Sequence, residues 1–488
     1  MTAPAPEGGA AVGTEAPDGT PAPDRRRWQA LAVCLVAGFM TLLDVSIVNT
    51  ALPSVRAGLG LSESGLQWVL AGYSLAFGLV LVPAGRLGDA RGRRPVFLAG
   101  LALFTATSAL AGAALSETWL VVARILQGMA GGLLVPQVSG FIQQLFSGDE
   151  RGRAFGMLGT TIGFSTAVGP ALGGLLIAVF GAGEGWRWVF YVNLPIGLLA
   201  LPFAHRVLPP PPVREDGPVR RDFDPLGVLL LGAGTLLLLF PFAQQQWTAP
   251  AKWLLLPAAA TVLALFALWE RRYGRRGEPL VSMSLFEASS YTLGTLVSLV
   301  YFAGFTAVFF VVTLYLQSGL HYSALAAGLA ITPFALASAV SSTYGGRMVR
   351  RYGRMLVAGG LTLVAVGLSL AVVAVHLWPG PGVGWATALP LLLAGVGSGL
   401  VVSPNQVLTL SQVPVARAGS AGGVIQTAQR IGSAAGIAAV GSVFFGRLAH
   451  HGSWASALQL SLIVVVGIVL VALTAALADV RVRRPDTL

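Results

Sequence analysis

Three ionisable residues stand inside otherwise apolar stretches of the sequence: Asp44, Arg124 and Arg430. A charge at that depth in a hydrocarbon layer is unfavourable and is usually tied to a proton or substrate path. Asp44 is the natural proton carrier, because a carboxyl group changes charge as it moves between apolar surroundings and the reach of a guanidinium such as Arg124. The structural alternative is a fixed packing pair. For Arg430, bonding to backbone carbonyls and a substrate or coupling role are equally open. Asp89 fits another task. It lies among Arg86, Arg91, Arg93 and Arg94 in the run Gly85-Arg-Leu-Gly-Asp-Ala-Arg-Gly-Arg-Arg-Pro95. Paired with Arg93 or Arg153, or set against a helix N-terminus, it would act as a latch holding two parts of the molecule together. The alternative for that run is a solvated basic loop.

The elements that must position these residues are membrane helices. Of 488 residues, 55% are hydrophobic and only 10% charged, against about 25% charged in a soluble domain, which excludes a water-soluble fold. Apolar runs of about 20 residues recur along the chain, as membrane-spanning helices require. Stretches such as 226–240 do not alternate in polarity, so a transmembrane β-barrel is excluded. Spans are expected near 28–52, 65–84, 95–115, 119–141, 154–180, 188–204, 226–246, 253–270, 291–317, 324–346, 355–377, 384–408, 420–446 and 457–479, fourteen in all. Residues 1–27 read as a disordered cytoplasmic tail and 480–488 as a C-terminal cytoplasmic tail. With fourteen crossings, 25 of the 31 basic residues fall on one side. Four fall on the other (Arg56, Arg187, Lys252 and Arg447), and Arg124 and Arg430 lie within spans. The positive-inside rule then puts both termini in the cytoplasm. The net charge of +11 is thus largely a topology signal, and no basic residues gather into a nucleic-acid-binding face.

A repeat is visible. Gly85–Arg93 aligns with Gly346–Arg354 at an offset of 261 residues, Arg151–Gly156 with Arg417–Gly422 at 266, and Gly132–Val135 with Gly399–Val402 at 267. The expected architecture is all-α, with an N-terminal six-helix bundle over 28–204 and a C-terminal one over 291–479. A linker at 205–290 carries two inserted helices. Parallel halves of this kind suit a transporter that rocks about a central site. The single cysteine, Cys34, permits no intrachain disulfide. There is no GxxxxGK[ST] phosphate loop, and the five histidines lack HExxH spacing, so neither direct ATP drive nor a metal site is expected.

These residues also resemble a known family. The run from Gly85 to Pro95 resembles the signature loop of the major facilitator superfamily, and further segments resemble motifs of its fourteen-helix drug:proton antiporters. The segment Leu43–Pro53 is similar to the first-helix motif, Arg124–Gly128 with Gly131 and Gly132 to the fourth-helix motif, and Trp186–Gly197 to the sixth-helix signature. Gly169-Pro170-Ala171-Leu172-Gly173-Gly174, preceded by Gly156, resembles the antiporter motif of the fifth helix, with Ser165 where another glycine is usual. The resemblance implies two six-helix bundles plus two inserted helices. It also implies proton coupling at Asp44 and Arg124; the residues themselves point to a latch at Gly85, Asp89, Arg93 and Arg153, and to a hinge, or a merely structural kink, at Gly169, Pro170, Gly173 and Gly174. A Gly-Pro pair in mid-span would kink the helix there.

Polar and aromatic residues in mid-span are candidates for a substrate-cavity wall: Asn49, Gln67, Trp68, Tyr73, Gln137, Asn193, Tyr301, Phe305, Gln317, Asn405, Gln406, Gln426 and Gln429, with Arg430. One deep carboxylate favours neutral, weakly cationic or amphipathic substrates over polycations. The expectation is therefore a proton-coupled efflux antiporter in the bacterial cytoplasmic membrane, exporting hydrophobic drugs or antibiotics by alternating access. It would be a monomer in the lipid bilayer, driven by the proton gradient with no cofactor and no metal. An exporter of a native metabolite is the alternative, and a non-transporting sensor a remoter one.

Overall fold

The computed structural model describes residues 25–181, 183–210, 224–243, 250–275 and 277–482. Its regular structure is entirely helical, and fourteen helices are long and apolar enough to cross a membrane. They are α1 (Arg25–Leu59), α2 (Ser64–Arg91), α3 (Arg93–Gly112), α4 (Glu117–Leu145), α5 (Gly148–Phe180), α6 (Gly185–Val207), α7 (Pro225–Phe242), α8 (Ala251–Tyr273), α9 (Ser289–Gly319), α10 (Leu325–Tyr352), α11 (Arg354–Leu377), α12 (Ala388–Leu410), α13 (Val415–Ala449) and α14 (Trp454–Val480). Of the expected tails at 1–27 and 480–488, residues 1–24 and 483–488 lie outside the described residues, whereas Arg25, Arg26 and Arg27 open α1 and residues 480–482 continue the last helix.

The run from Gly85 to Pro95, read as a loop, is helical on both sides of one residue. Gly92, at φ 95°, turns α2 into α3, and Gly353, at φ 52°, turns α10 into α11 at the repeat-related position. Only glycine adopts that backbone without strain, so each turn needs a single residue. Helices α1–α6 pack into one bundle and α9–α14 into another. One buried apolar core, containing Val297, Leu361 and Val465, holds the second half together. Two others, around Phe97, Phe104 and Phe141 and around Ile47, Trp186 and Phe190, hold the first.

The halves meet along two seams, α2 with α13 and α5 with α10. Glycine makes both possible. Gly85 has no room for a methyl group against the Gly419 carbonyl, and Gly152 and Gly346 exclude one from each other. These contacts are related by the same repeat, so the two seams are pseudo-symmetric copies. The inserted pair breaks the symmetry, because α7 packs on both α2 and α13. A methyl on Gly78 would lie 3.2 Å from Leu239. The inserted helices therefore cover one seam and leave the other uncovered by them.

Candidate functional site

Asp44 is fully buried, and both of its carboxylate oxygens are satisfied. Arg124 Nη1 donates to Oδ2 at 2.6 Å. Gln127 Nε2 donates to Oδ1 at 2.8 Å and Asn193 Nδ2 to the same oxygen at 3.1 Å. Arg124 and Gln127 stand three residues apart on α4, one helical turn, so one face of that helix presents both. The guanidinium is held in turn by Gln127 Oε1 at 2.7 Å and by the Val69 carbonyl of α2 at 3.2 Å. It lies over the Tyr73 ring with its carbon 4.2 Å from the centroid. Ser108 of α3 accepts from Gln127 at 2.7 Å. Asn193 reaches the site because the helical path of α6 is interrupted after Tyr191 and restarts at Asn193, with Pro195 in the first turn, where its missing amide is not needed. Helices α1, α2, α3, α4 and α6 thus converge on one ion pair. Protonating Asp44 would leave Arg124 without its anion, which in a buried setting forces the surrounding groups to rearrange.

Asp89 spans the covered seam. Its Oδ1 accepts from Arg93 Nη2 at 2.9 Å and from the Gly419 amide at 3.0 Å. Its Oδ2 accepts from the Ser420 amide at 2.8 Å and the Ser420 hydroxyl at 3.0 Å. Gly419 and Ser420 lie in the first turn of the α-helical part of α13, so a side chain from one half caps a helix of the other and meets the positive end of its dipole. Arg93 also donates to the Val415 carbonyl at 2.6 Å and to Gln144 Oε1 at 2.7 Å. The expected latch partners Arg93 and the helix N-terminus are both present. Arg153 is not: it lies over the Trp28 ring at 4.9 Å, one turn into α5 and at the foot of α1. On the other seam the residue aligned with Asp89 is Arg350, which pairs with Asp149 at 3.0 Å on the surface.

A third buried ion pair is not foreseen from the sequence. Arg354, aligned with Arg93, pairs with Asp479 of α14, donates to Asn405 Oδ1 at 2.7 Å and to the Ser290 carbonyl at 2.7 Å. Asn405 in turn donates to the Gly294 carbonyl and to Ser298. Asp479 reads as a span-end acid, and only packing of α11 against α14 brings its partner within reach. The signal available was the repeat itself, which places Arg354 where Arg93 stands.

Several cavity candidates turn out to be core contacts. Gln137 donates to the Ala84 carbonyl at 2.8 Å and ties α4 to α2. Asn405 belongs to the Arg354 cluster and Asn193 to the Asp44 cluster, so none of the three lines an open wall. Tyr301 and Phe305 do share an aromatic ladder. Their centroids are 5.8 Å apart, and Phe305 continues to Phe309 at 5.2 Å and to Phe334 of α10 at 6.0 Å. Gln67 and Gln426 are half-buried and Asn49 is exposed. In α5, methyl groups on Gly169 and Gly173 would meet Ser46 and Ile47 of α1, whereas Gly174 faces open space. Pro170 faces Gly328 of α10, so the motif sits between its own half and the other. The latch is flanked by the segment joining α8 to α9. Glu278 pairs with Arg86, Arg417 donates to Ser282 at 2.9 Å, and Val281 donates its amide to Glu270 at 3.1 Å.

Comparison with known proteins agrees with this geometry. A family model described as Major Facilitator Superfamily matches residues 34–437. The chain is 38% identical to a probable actinorhodin transporter of Streptomyces coelicolor, over 88% of this chain and 75% of that protein. It is 36% identical to the puromycin resistance protein pur8 of Streptomyces alboniger, over 88% of this chain and 85% of the relative. The fold matches that of the human organic anion transporter MFSD10 (TETRAN), with a TM-score of 0.68 and 18% identity over 93% of this chain and 100% of that one. Two six-helix halves, glycine seams and a cross-half carboxylate cap, together with relatives of this extent, place the chain in the major facilitator superfamily as a multi-pass membrane transport protein.

Proposed function

We propose that the protein exports hydrophobic or amphipathic drugs or antibiotics in exchange for protons, using the proton gradient as its only energy source and no cofactor. The observation that carries this reading is the closed network around Asp44. Its carboxylate is matched by one guanidinium and two amides in a site with no exposure, so its charge cannot change without moving α1 against α4 and α6. The printed names of relatives, an actinorhodin transporter and a puromycin resistance protein, support export of antibiotic-like compounds.

In this reading the arginine-rich end, with Arg25, Arg93, Arg350 and Arg354, faces the cytoplasm, as do both termini. A proton from outside neutralises Asp44 and frees Arg124. The altered packing of the first half weakens the Asp89 cap on α13, and the seams open toward the cytoplasm. Substrate then enters, Asp44 releases its proton inward, and the latch closes again behind the substrate. The α5 segment from Gly169 to Gly174 absorbs the relative motion, with α1 on one face and α10 on the other.

The test is reconstitution in proteoliposomes with an imposed pH gradient and a panel of lipophilic cations, neutral antibiotics and acidic antibiotics. Gradient-dependent uptake of at least one class is expected for the unmodified chain. Asp44→Asn should abolish it while remaining monodisperse in gel filtration. Full proton-driven transport by Asp44→Asn would overturn the assignment.

A further inference from the structure

Among the described residues three buried ion pairs stand within the spans, and Arg430 is in none of them. Asp44 pairs with Arg124, Asp89 with Arg93 and Arg354 with Asp479. Arg430 of α13 has no carboxylate, carbonyl or hydroxyl acceptor among the described residues. Its only close contact of note is the Phe77 ring of α2, 4.2 Å from the guanidinium carbon to the centroid. It lies eleven residues beyond Gly419 on α13, about 16 Å along the helix from the latch at 1.5 Å per residue, which is close to mid-membrane. A guanidinium presents five donors and stays charged, and a planar fork of that kind fits carboxylates and phenolates.

Two further polar groups at the same place are unpartnered. Thr427, one turn before Arg430 on the same face of α13, is buried, and its hydroxyl has no hydrogen-bond partner. Tyr73 is 1% exposed, its phenolic oxygen is likewise unpartnered, and it lies within electrostatic reach of Arg430. Tyr73 and Phe77 are four residues apart on α2 and form one ring-bearing face, with Arg430 over its Phe77 ring. Cation, hydroxyls and aromatic faces converge where the two halves meet.

We propose that this cluster recognises the acidic group of the transported compound, and that the preferred substrates are aromatic anions. The proposal rests on the export reading above and names its substrate class. A substrate carboxylate or phenolate would pair with Arg430 and accept from Thr427 and Tyr73, with its ring system against Phe77 and Tyr73. The expectation of neutral, weakly cationic or amphipathic substrates rested on Asp44 as the one deep carboxylate; in the structure Arg124 matches that carboxylate, and the charge at this cluster is positive. Tyr73 also links the two sites: its ring carries Arg124, and it lies within electrostatic reach of Arg430. An anion bound at Arg430 therefore sits one side chain away from the Asp44 pair.

The test compares two dyes with the same fused ring system, anionic fluorescein and cationic rhodamine 123. Binding is measured by fluorescence anisotropy on the full chain in nanodiscs, and transport in proteoliposomes under an imposed pH gradient. Fluorescein should bind at least tenfold more tightly than rhodamine 123. Arg430→Gln should weaken fluorescein binding tenfold or more with little change for rhodamine 123, and Arg430→Lys should recover part of the loss. Gel filtration and thermal unfolding establish that each variant is folded. Equal binding of the two dyes, or fluorescein affinity unchanged in Arg430→Gln, overturns the proposal even if rhodamine 123 is exported. Arg430-dependent fluorescein binding without transport of any compound sustains the anion site and rejects the export reading.

Discussion

The hydroxyl of Ser46 on α1 donates to the carbonyl of Thr166 on α5 at 3.3 Å. That carbonyl is the one whose helical donor would have been the amide of residue 170, and Pro170 has none. The helix runs unbroken from Gly148 to Phe180 because a neighbour supplies the missing hydrogen bond. Ser46 lies two residues beyond Asp44, so the helix that carries the buried carboxylate is bonded at the point where α5 is weakest.

Gly169 packs on the same serine, and a methyl group there would stand 2.5 Å from Ser46 Cβ. Gly169→Ala should therefore destabilise the chain by roughly 1–3 kcal/mol through overpacking. Ser46→Ala should lose about 1 kcal/mol by orphaning the Thr166 carbonyl. Thermal unfolding in detergent measures both, and a Gly169→Ala variant as stable as the parent would mean that α1 and α5 are free to separate.

The Asp44 pair should behave as a unit. Arg124→Gln leaves a buried carboxylate without its cation and should destabilise by about 3–5 kcal/mol. Asp44→Asn with Arg124→Gln removes both charges, and most of that stability should return while proton-driven transport does not. A double-mutant cycle on thermal stability and uptake separates the two effects.

The two seam contacts should respond differently to substitution and salt. The side chains of Asp89 and Arg93 are 1% and 8% exposed, those of Asp149 and Arg350 63% and 76%. Asp89→Asn should weaken closure by about 1.5–3 kcal/mol, since hydrogen bonds to a charged acceptor are lost. Asp149→Asn should change it by less than about 1 kcal/mol, with the effect vanishing in high salt. Spin labels on α2 and α13 at the arginine-rich end would report the distance distribution, and a larger shift for Asp149→Asn than for Asp89→Asn would contradict this ordering.

Arg354 and Asp479 are expected to matter for folding of the second half and not for coupling. Asp479→Asn should destabilise by about 3–5 kcal/mol by removing the carboxylate that balances the buried Arg354 charge. Arg354→Leu with Asp479→Leu should recover much of this, with the pH dependence of uptake unaltered. A shifted pH profile in the double variant would assign this pair to the proton path.

The features legible without the fold follow from quantities that add along the chain. Fourteen apolar runs, the arginine distribution, the repeat at offsets of 261 to 267 residues and the isolation of Asp44, Arg124 and Arg430 in apolar surroundings are legible because bilayer insertion responds to local hydropathy and charge. Glycines at 85, 152, 346 and 419 are legible as small residues, and Asp89 as a capping acid. Which polar groups meet is set by the packing of the helices. Asn193 lies 149 residues from Asp44 and Asp89 lies 330 from Gly419, and no local pattern encodes such pairings. Gln137 and Asn405 share their residue types with cavity-lining groups, yet their donors are consumed inside the bundles, because every buried amide must find an acceptor in a medium without water. The same bookkeeping of donors and acceptors leaves Arg430 unmatched where the two halves meet.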